Sequence, residues 1–409
     1  MMRQTGEQTG RSDPWDPLDA VTHFDPYPYY ARLVGSKPIY WDDDLKLWVA
    51  SGAGAVKSVL TSNLCTVRPA SEQVPRSIAG SAAGTIFQNL VRMTDGPRHK
   101  EMKGEVSAIF DRLEIEGVRD LGRGWAERLG KALAGDDAGA LNDFMFRVPV
   151  FVMGQLLGLR ADALEETAAC VDGFVRCLSP VSTEEQIETG KHAAARLLEI
   201  FDPSAALGQT DEIDGLLRAF YRRGRPGGRE EGDRTARIAN AIGLLSQTYE
   251  ATAGLIGNTI LILARNDSLR NQVIKNQQLI EDVVAEVIRY DSPVQNTRRF
   301  VSSPGQVAGE YMDEGAAVLV LVAAANRDPA ENPDPGSFLV KRERRRSFTF
   351  GFGAHGCPGE ICARAIAAAA VGEFVRQRID LVEISRQFTY RRSLNVRVPV
   401  FGSGKSGYL

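Results

Sequence analysis

Apolar side chains recur at three- and four-residue spacing through residues 97–111, 114–134, 141–158, 163–178, 184–201 and 212–222, which predicts six amphipathic helices. A Gly/Arg-rich stretch from Arg222 to Asp233, punctuated by Pro226, Gly227 and Gly228, breaks the pattern. It resumes from Thr235 to Ala264 without a proline, and a helix of that length is expected to run through the core. Shorter helices are predicted near 267–274 and 278–290, and an Ala-rich run from Ile361 to Val375 predicts another. Strand patterns are few. Pro38–Trp41 and Leu47–Ala50 predict a hairpin around Asp42-Asp43-Asp44, Ala317–Val322 is a short apolar run, and Val396–Val400 predicts a late strand with Pro399 near its end. The fold class is mainly α with small β-sheets.

The chain has 409 residues, 43% of them hydrophobic, enough to bury a large core. Length alone suggests two or three domains, but no linker divides the chain. The expected organisation is a polar, disordered tail over 1–19 and a single domain over 20–409. Forty-nine Lys and Arg against 52 Asp and Glu give a net charge of −3, which argues against a nucleic-acid partner. No stretch approaches the ~20 apolar residues of a membrane span, and Met1–Asp19 lacks the basic start and apolar run of a secretion signal. The expectation is a cytoplasmic protein with no membrane partner. Five scattered cysteines (Cys65, Cys170, Cys177, Cys357, Cys362) without a CxxC pair make neither a disulfide framework nor a zinc ribbon. Four of them read as small buried hydrophobes. Four histidines are a thin supply for a multi-histidine metal site.

The fifth cysteine stands apart. Phe350-Gly351-Phe352-Gly353-Ala354-His355-Gly356-Cys357-Pro358-Gly359 places three glycines before Cys357 and one after it. Glycines permit tight turns and close approach of backbone to a flat ligand. Pro358 can begin a helix, where its missing N–H costs nothing. Cys357 would then sit at a helix N-terminus, whose dipole and free N–H groups favour thiolate. Phe350, Gly353, His355, Cys357 and Gly359 together match F-x-x-G-x-H-x-C-x-G, and in this the chain resembles the cytochrome P450 family.

The resemblance extends from Asp25-Pro26-Tyr27 to Val398-Pro399-Val400. It implies a mostly helical domain with haem b held between a long central helix and the cysteine-bearing helix, and Cys357 as the axial iron ligand. Phe350 would cover the sulfur, and Gly359 belongs to the same loop. His99 and Lys103 match the family's H-x-x-x-R, with lysine replacing arginine, and Arg299 matches its propionate-binding arginine. With His355 they would meet the propionates. Glu286 and Arg289 match E-x-x-R, a buried pair that braces the loop. The arginine segment that completes this network resembles Asn326-Arg327-Asp328-Pro329 through Phe338.

One helix departs from the family. Aligned on Thr252-Ala253-Gly254, the acid is Glu250, the usual alcohol position is Ala251, and Gln247 takes the place of a small residue. That alcohol helps deliver protons to dioxygen, and alanine can neither donate a proton nor hold water. Residues 247, 250, 251 and 254 share a helix face, so Gln247 and Glu250 are expected to flank the gap. Leu244 through Thr259 resembles a bacterial subgroup that β-hydroxylates amino acids bound to peptidyl carrier proteins in nonribosomal peptide pathways.

The implied activity is a monooxygenase that hydroxylates an unactivated C–H bond, with electrons from a ferredoxin or flavodoxin and its reductase. Substrate contacts are expected from segments near 70–92 and 170–181, from 246–251 including Ser246, from 294–297 including Val294 and Asn296, and from 393–395 including Leu394. The run Lys341-Arg342-Glu343-Arg344-Arg345-Arg346 reads either as solvated basic surface or as a docking patch for an acidic ferredoxin. The loss of the alcohol also leaves open a peroxide-using or redox-neutral haem-thiolate enzyme, and a non-catalytic haem protein that recruits partners.

Overall fold

The computed structural model describes residues 13–133, 137–202 and 230–402. Helices α1 (Tyr27–Ser36), α2 (Ala53–Thr61), α3 (Ala82–Asn89), α4 (Gly96–Phe110), α5 (Ile115–Gly130), α6 (Ala138–Leu157), α7 (Leu164–Cys177) and α8 (Glu184–Ile200) precede the long helix α9 (Glu230–Arg265). Helices α10 (Asp267–Lys275), α11 (Leu279–Tyr290), α12 (Val322–Ala325), α13 (Glu360–Gln377) and α14 (Leu381–Ile384) follow. Periodicity predicts α4–α11 and α13 to within a few residues. The predicted helix over 212–222 lies outside the described residues, as do residues 1–12 and most of the predicted break after Arg222. Helix α9 begins at Glu230, so the last residues of that break are helical.

Helices α1–α3 escape the periodicity reading because they are short and their supports are distant. The first turn of α2 is capped from far along the chain: Ala53 N donates to Asp328 Oδ2 at 2.8 Å. Helix α1 carries Pro28 in its first turn and is held by tertiary bonds, among them Tyr30 Oη to Gln295 Oε1 at 3.0 Å.

Strands β1 (Ile39–Asp42), β2 (Leu47–Ala50), β3 (Cys65–Thr66) and β4 (Thr297–Val301) are followed by a small hairpin, β5 (Gly305–Val307) with β6 (Glu310–Met312). Strand β7 (Ala317–Val320) completes a five-stranded sheet in the order β1-β2-β7-β4-β3. The predicted hairpin is present, turning at Asp42–Lys46. The predicted strand at 396–400 is shifted: β8 (Phe388–Tyr390) pairs with β9 (Pro399–Phe401), and Val396 makes only an isolated bridge to Val294.

The main core surrounds α9, whose Ile242, Leu245, Ile256 and Ile260 are fully buried. Two glycines let the C-terminal segment cross this helix closely. A Cβ at Gly254 would lie 2.7 Å from the Arg397 carbonyl, and one at Gly257 would lie 2.5 Å from Pro399 Cγ. Helix α13 packs on α5 through a similar approach, with a Cβ at Gly122 falling 2.8 Å from Ala369 Cβ. Arg397 is buried and gathers three carbonyls from the start of the described chain: Val21 at 3.1 Å, His23 at 2.6 Å and Phe24 at 3.0 Å. Its Nε donates to Asp291 Oδ1 at 2.9 Å. Of the four cysteines expected to be small buried hydrophobes, Cys177 and Cys362 are buried, whereas Cys65 and Cys170 are only half-buried.

Glu286 and Arg289 on α11 are both fully buried, 2.6 Å apart. Arg289 also donates to the carbonyls of Pro335 (2.9 Å) and Ser337 (3.0 Å), which ties the irregular 326–349 strap to α11. The further guanidinium groups are not those of the 326–338 segment. Arg342 Nε reaches Glu286 Oε1 at 3.0 Å and Arg345 Nε reaches Oε2 at 3.0 Å. Arg327 instead donates to the Tyr290 carbonyl at 2.9 Å and lies between the Tyr27 and Tyr290 rings, 3.9 and 3.6 Å from their centroids. This corrects two expectations. The strap's arginine is diverted by aromatic stacking, and the 341–346 run is a solvated basic surface only at Lys341, Arg344 and Arg346, which are exposed. Lys341 pairs with Asp282 and Arg344 with Glu331, while Arg342 and Arg345 turn inward.

Removing the carboxylate would leave three guanidinium groups without their shared counter-charge. Glu286→Ala is expected to cost about 3–5 kcal/mol, read as a fall in the urea midpoint. Arg344→Ala, which breaks a more exposed pair, is expected to cost about 0–1 kcal/mol. Equal midpoint shifts for the two variants would contradict this arrangement of charges.

Candidate functional site

The cysteine loop is fixed at its entrance by side chains of the α11 end and the strap. Asn326 Oδ1 accepts Phe348 N at 2.6 Å, and its Nδ2 donates to Thr349 Oγ1 at 2.8 Å. Thr349 Oγ1 donates to the Ile288 carbonyl at 2.8 Å. The loop then doubles back: Gly351 N bonds Phe348 O at 2.8 Å, Gly356 N bonds Gly353 O at 3.0 Å, and Cys357 N bonds Phe350 O at 2.7 Å. Gly351 and Gly353 adopt φ of +74° and +67°, where a side chain is strained. Phe350 packs, half-buried, against the main core. Gly359 is needed for space, since a Cβ there would meet the Phe110 ring at 3.0 Å.

Helix α13 begins at Glu360, so Cys357 and Pro358 lie in the turn before it and not in its first turn. The Gly359 N–H and the Lys103 ammonium favour thiolate at Cys357, but burial outweighs them and pushes the thiol up, with Glu360 adding to the rise. The dipole argument therefore does not by itself yield a thiolate. Cys357 nevertheless keeps accessible surface.

At one edge of the loop the predicted imidazoles and cations converge. The His99 and His355 rings stack with centroids 4.0 Å apart. Lys103 Nζ donates to the Gly356 carbonyl. Arg299 on β4 is buried, donates to the Arg298 carbonyl at 2.8 Å, and is held charged against its burial by Asp95. Burial, with the neighbouring His355, Lys103 and Arg299 charges, pulls His99 down to about 4 against the opposing pull of Asp95. Asp95 was not among the predicted site residues. It occupies the N-cap position of α4 but makes no cap; its carboxylate meets His355 Nε2 at 3.2 Å and Val67 N at 3.1 Å. An Asp-Gly-Pro helix start was its only sequence signal, and that signal reads as an ordinary cap.

On α9 the predicted face is present but its groups are already occupied. Gln247 curls back, its Nε2 donating to the Gly243 carbonyl at 2.8 Å. Ser246 spends its hydroxyl on the same carbonyl at 3.2 Å. Ala251 is half-buried and Thr252 is buried. Glu250 lies 3.6 Å from Arg391 Nε. Burial pushes its carboxyl up, Arg391, Arg176 and Arg92 pull it down, and Asp172 adds to the rise. The 294–296 and 394–396 segments are zipped together: Asn296 Nδ2 donates to Leu394 O at 2.8 Å, and Gln295 N to Asn395 O at 2.8 Å. Asn296 is thereby buried, whereas Val294 and Leu394 are half-buried. A separate groove of about 630 Å³, lined by Leu121, Trp125 and Arg128 among others, contains none of the predicted site residues.

The arrangement fits a flat, dianionic, cysteine-ligated macrocycle. Its sulfur position is accessible, and its edge carries Lys103, Arg299 and two imidazoles. Comparison with known proteins bears on this reading. Residues 238–377 match the family model described as Cytochrome P450. The chain is 30% identical to cytochrome P450 107B1 of Saccharopolyspora erythraea over 297 residues, 70% of this chain and 69% of that one. It is 28% identical over 382 residues to 20-oxo-5-O-mycaminosyltylactone 23-monooxygenase of Streptomyces fradiae, 90% of this chain and 86% of that one. The crystal structure of P450BioI with an acyl carrier protein bearing hexadec-9Z-enoic acid superposes with a TM-score of 0.79 at 21% identity, covering 92% and 97% of the two chains. The chain belongs to the cytochrome P450 family, and it is an oxidoreductase of the monooxygenase type. Membership implies a haem held by a cysteine thiolate. Among the described residues no helix is long and apolar enough to cross a membrane.

Gly351→Ala should be more damaging than Gly309→Ala. Both positions have positive φ, but only the Gly351 Cβ meets backbone, 3.0 Å from the His355 carbonyl, while nothing lies within 4 Å at Gly309. The expected losses are about 1–3 kcal/mol with the larger at Gly351, measured by thermal or urea unfolding. A smaller loss at Gly351 would contradict the tight doubling-back of the loop.

Proposed function

We propose that this chain hydroxylates an unactivated C–H bond of a small molecule in secondary metabolism, with haem b ligated by Cys357. The observation that carries the proposal is the doubled-back glycine loop that presents Cys357, accessible, beneath the Lys103–Arg299–His99–His355 edge. His99, Lys103, Arg299 and His355 would hold the two propionates, and Glu286 with Arg289 braces the loop. When bound, the haem supplies dioxygen activation and cleavage of the substrate C–H bond. The protein's own residues bind, orient and move protons.

Ala251 cannot relay a proton. Glu250 would do so instead: burial pushes its carboxyl up from the usual carboxylate value, and Arg391, 3.6 Å away, pulls it back down. Gln247 has its amide nitrogen tied to the Gly243 carbonyl, which leaves only its amide oxygen to accept a hydrogen bond. Electrons would come from a ferredoxin or flavodoxin with its reductase. The substrate format is supported by relatives only. One acts, by its name, on 20-oxo-5-O-mycaminosyltylactone, and one was crystallised with an acyl carrier protein. The finer reading from α9 is β-hydroxylation of an amino acid on a peptidyl carrier protein. Ala251 favours one other reading, a peroxide-using enzyme on the same cofactor. Turnover with hydrogen peroxide, but none with ferredoxin and reductase, would select it.

Reduced under carbon monoxide, the purified protein is expected to show the red-shifted Soret band of sulfur-ligated ferrous haem, and Cys357→Ser to lose it. A spectrum unchanged by the substitution would remove Cys357 as ligand. Ala251→Thr is expected to leave the coupling of NAD(P)H consumption to product within about twofold of the parent, because Glu250 already serves the relay. A gain of tenfold or more would show that it does not.

A further inference from the structure

The cationic edge beside the cysteine loop is assembled from stretches far apart in the chain: the end of β3, the start of α4, strand β4 and the loop itself. Ladder pairing joins two of them. Cys65 and Thr66 on β3 pair with Val301 and Phe300 on β4, and Thr66 Oγ1 donates to the Phe300 carbonyl at 3.1 Å. Lys103 joins α4 to the loop through the Gly356 carbonyl. Asp95 supplies the connection between strand and loop. Its Oδ2 accepts Val67 N at 3.1 Å, and its Oδ1 lies 3.2 Å from His355 Nε2. Both carboxylate oxygens are thereby engaged, one on each side.

Asp95 stands where a helix cap would stand, yet its side chain bonds none of the free N–H groups of α4. Burial pushes its carboxyl up, but the bonds from His355 and Val67, with the Arg299 charge, outweigh this and hold it below the usual carboxylate value. An ionised carboxylate only accepts hydrogen bonds, so the His355 nitrogen facing it carries a proton. One ring atom of His355 is therefore fixed from behind. The ring also lies against His99, with centroids 4.0 Å apart and planes at 26°, so a hold on one imidazole restrains the other. An anion at an edge suited to a dianionic ligand repels that ligand, and it is tolerated there only if it does something that offsets the repulsion. Orienting the two imidazoles is the work its contacts show.

We propose that Asp95 is a positioning residue for the haem: it holds His355, and through the ring stack His99, at the propionate edge, and so slows haem loss. This rests on the reading of the protein as a haem-thiolate monooxygenase whose propionates lie at that edge. A histidine whose rotation is already restricted loses less freedom when the ligand arrives, which strengthens its grip without adding a contact. Asp95 acts on the haem through His355, so its removal matters only while His355 is present.

The test follows haem transfer from the loaded protein to an excess of a haem-free globin, with the propionate bending bands of the resonance Raman spectrum as a second readout. Asp95→Asn keeps the size and capping ability of the residue but removes its charge and one acceptor oxygen. It is expected to speed haem transfer at least about tenfold, because a hydrogen bond to a charged group is lost, and to shift the propionate bands. Asp95→Glu keeps the charge and is expected to recover part of the difference; it carries the same comparison if Asp95→Asn folds poorly. His355→Phe keeps a ring against His99 and removes the nitrogen that Asp95 holds. In that background Asp95→Asn is expected to change the rate by no more than about twofold. A rate for Asp95→Asn within about twofold of the parent, as a plain helix cap would give, overturns the proposal with the haem reading intact. A tenfold rise that persists beside His355→Phe also overturns it, since Asp95 would then act through Val67 and not through the imidazoles. Parent protein that takes up no haemin overturns both readings together.

Discussion

One buried carboxylate organises the ground on which the cysteine loop stands. Glu286 receives Arg289 from its own helix and Arg342 and Arg345 from the strap, and Arg289 in turn holds the Pro335 and Ser337 carbonyls. The strap from 326 to 349 is largely irregular, so it has few ladder bonds of its own to define its path. Charge-assisted bonds substitute for them, and they are directional as well as strong. Asn326 and Thr349 then pass this order to the loop, and the loop's backbone passes it to Cys357.

The loop was legible because its chemistry demands rare residues in fixed order. A cysteine among four glycines, with phenylalanine and histidine at set spacings, suits the grip of a flat metal-centred ring and little else. The long helix was legible from periodicity and the absence of proline. What could not be read depends on partners distant in sequence. The cap of α2 comes from Asp328, and Arg327 is claimed by two tyrosines. The basic run at 341–346 resembles a solvated patch until Glu286, Asp282 and Glu331 are seen to face it. Asp95 looks like a helix cap and serves His355 instead. Arg391 gave no signal, since a single arginine carries no pattern of its own and only the fold brings it to Glu250 and Asp172.

Charge in this protein gathers in two places. Around Glu286 three guanidinium groups share one carboxylate, and backbone carbonyls take up further donors. Around Glu250 and Asp172, Arg391 keeps one nitrogen, Nη1, without a hydrogen-bond partner. A satisfied buried network rigidifies its surroundings, and the first of the two holds the strap that leads into the cysteine loop.

The reach of Arg397 sets a timetable for the chain. Its guanidinium closes on Val21, His23 and Phe24, more than 370 positions earlier, and the segment bearing it presses on the long helix at Gly254. At ribosomal speeds of roughly 5–20 residues per second, the opening segment waits some tens of seconds for this partner to be made. Until then those carbonyls and the glycine-marked stripe of the long helix face water. A nascent chain of this kind can assemble its helices early, yet this long-range closure waits until the segment bearing Arg397 emerges.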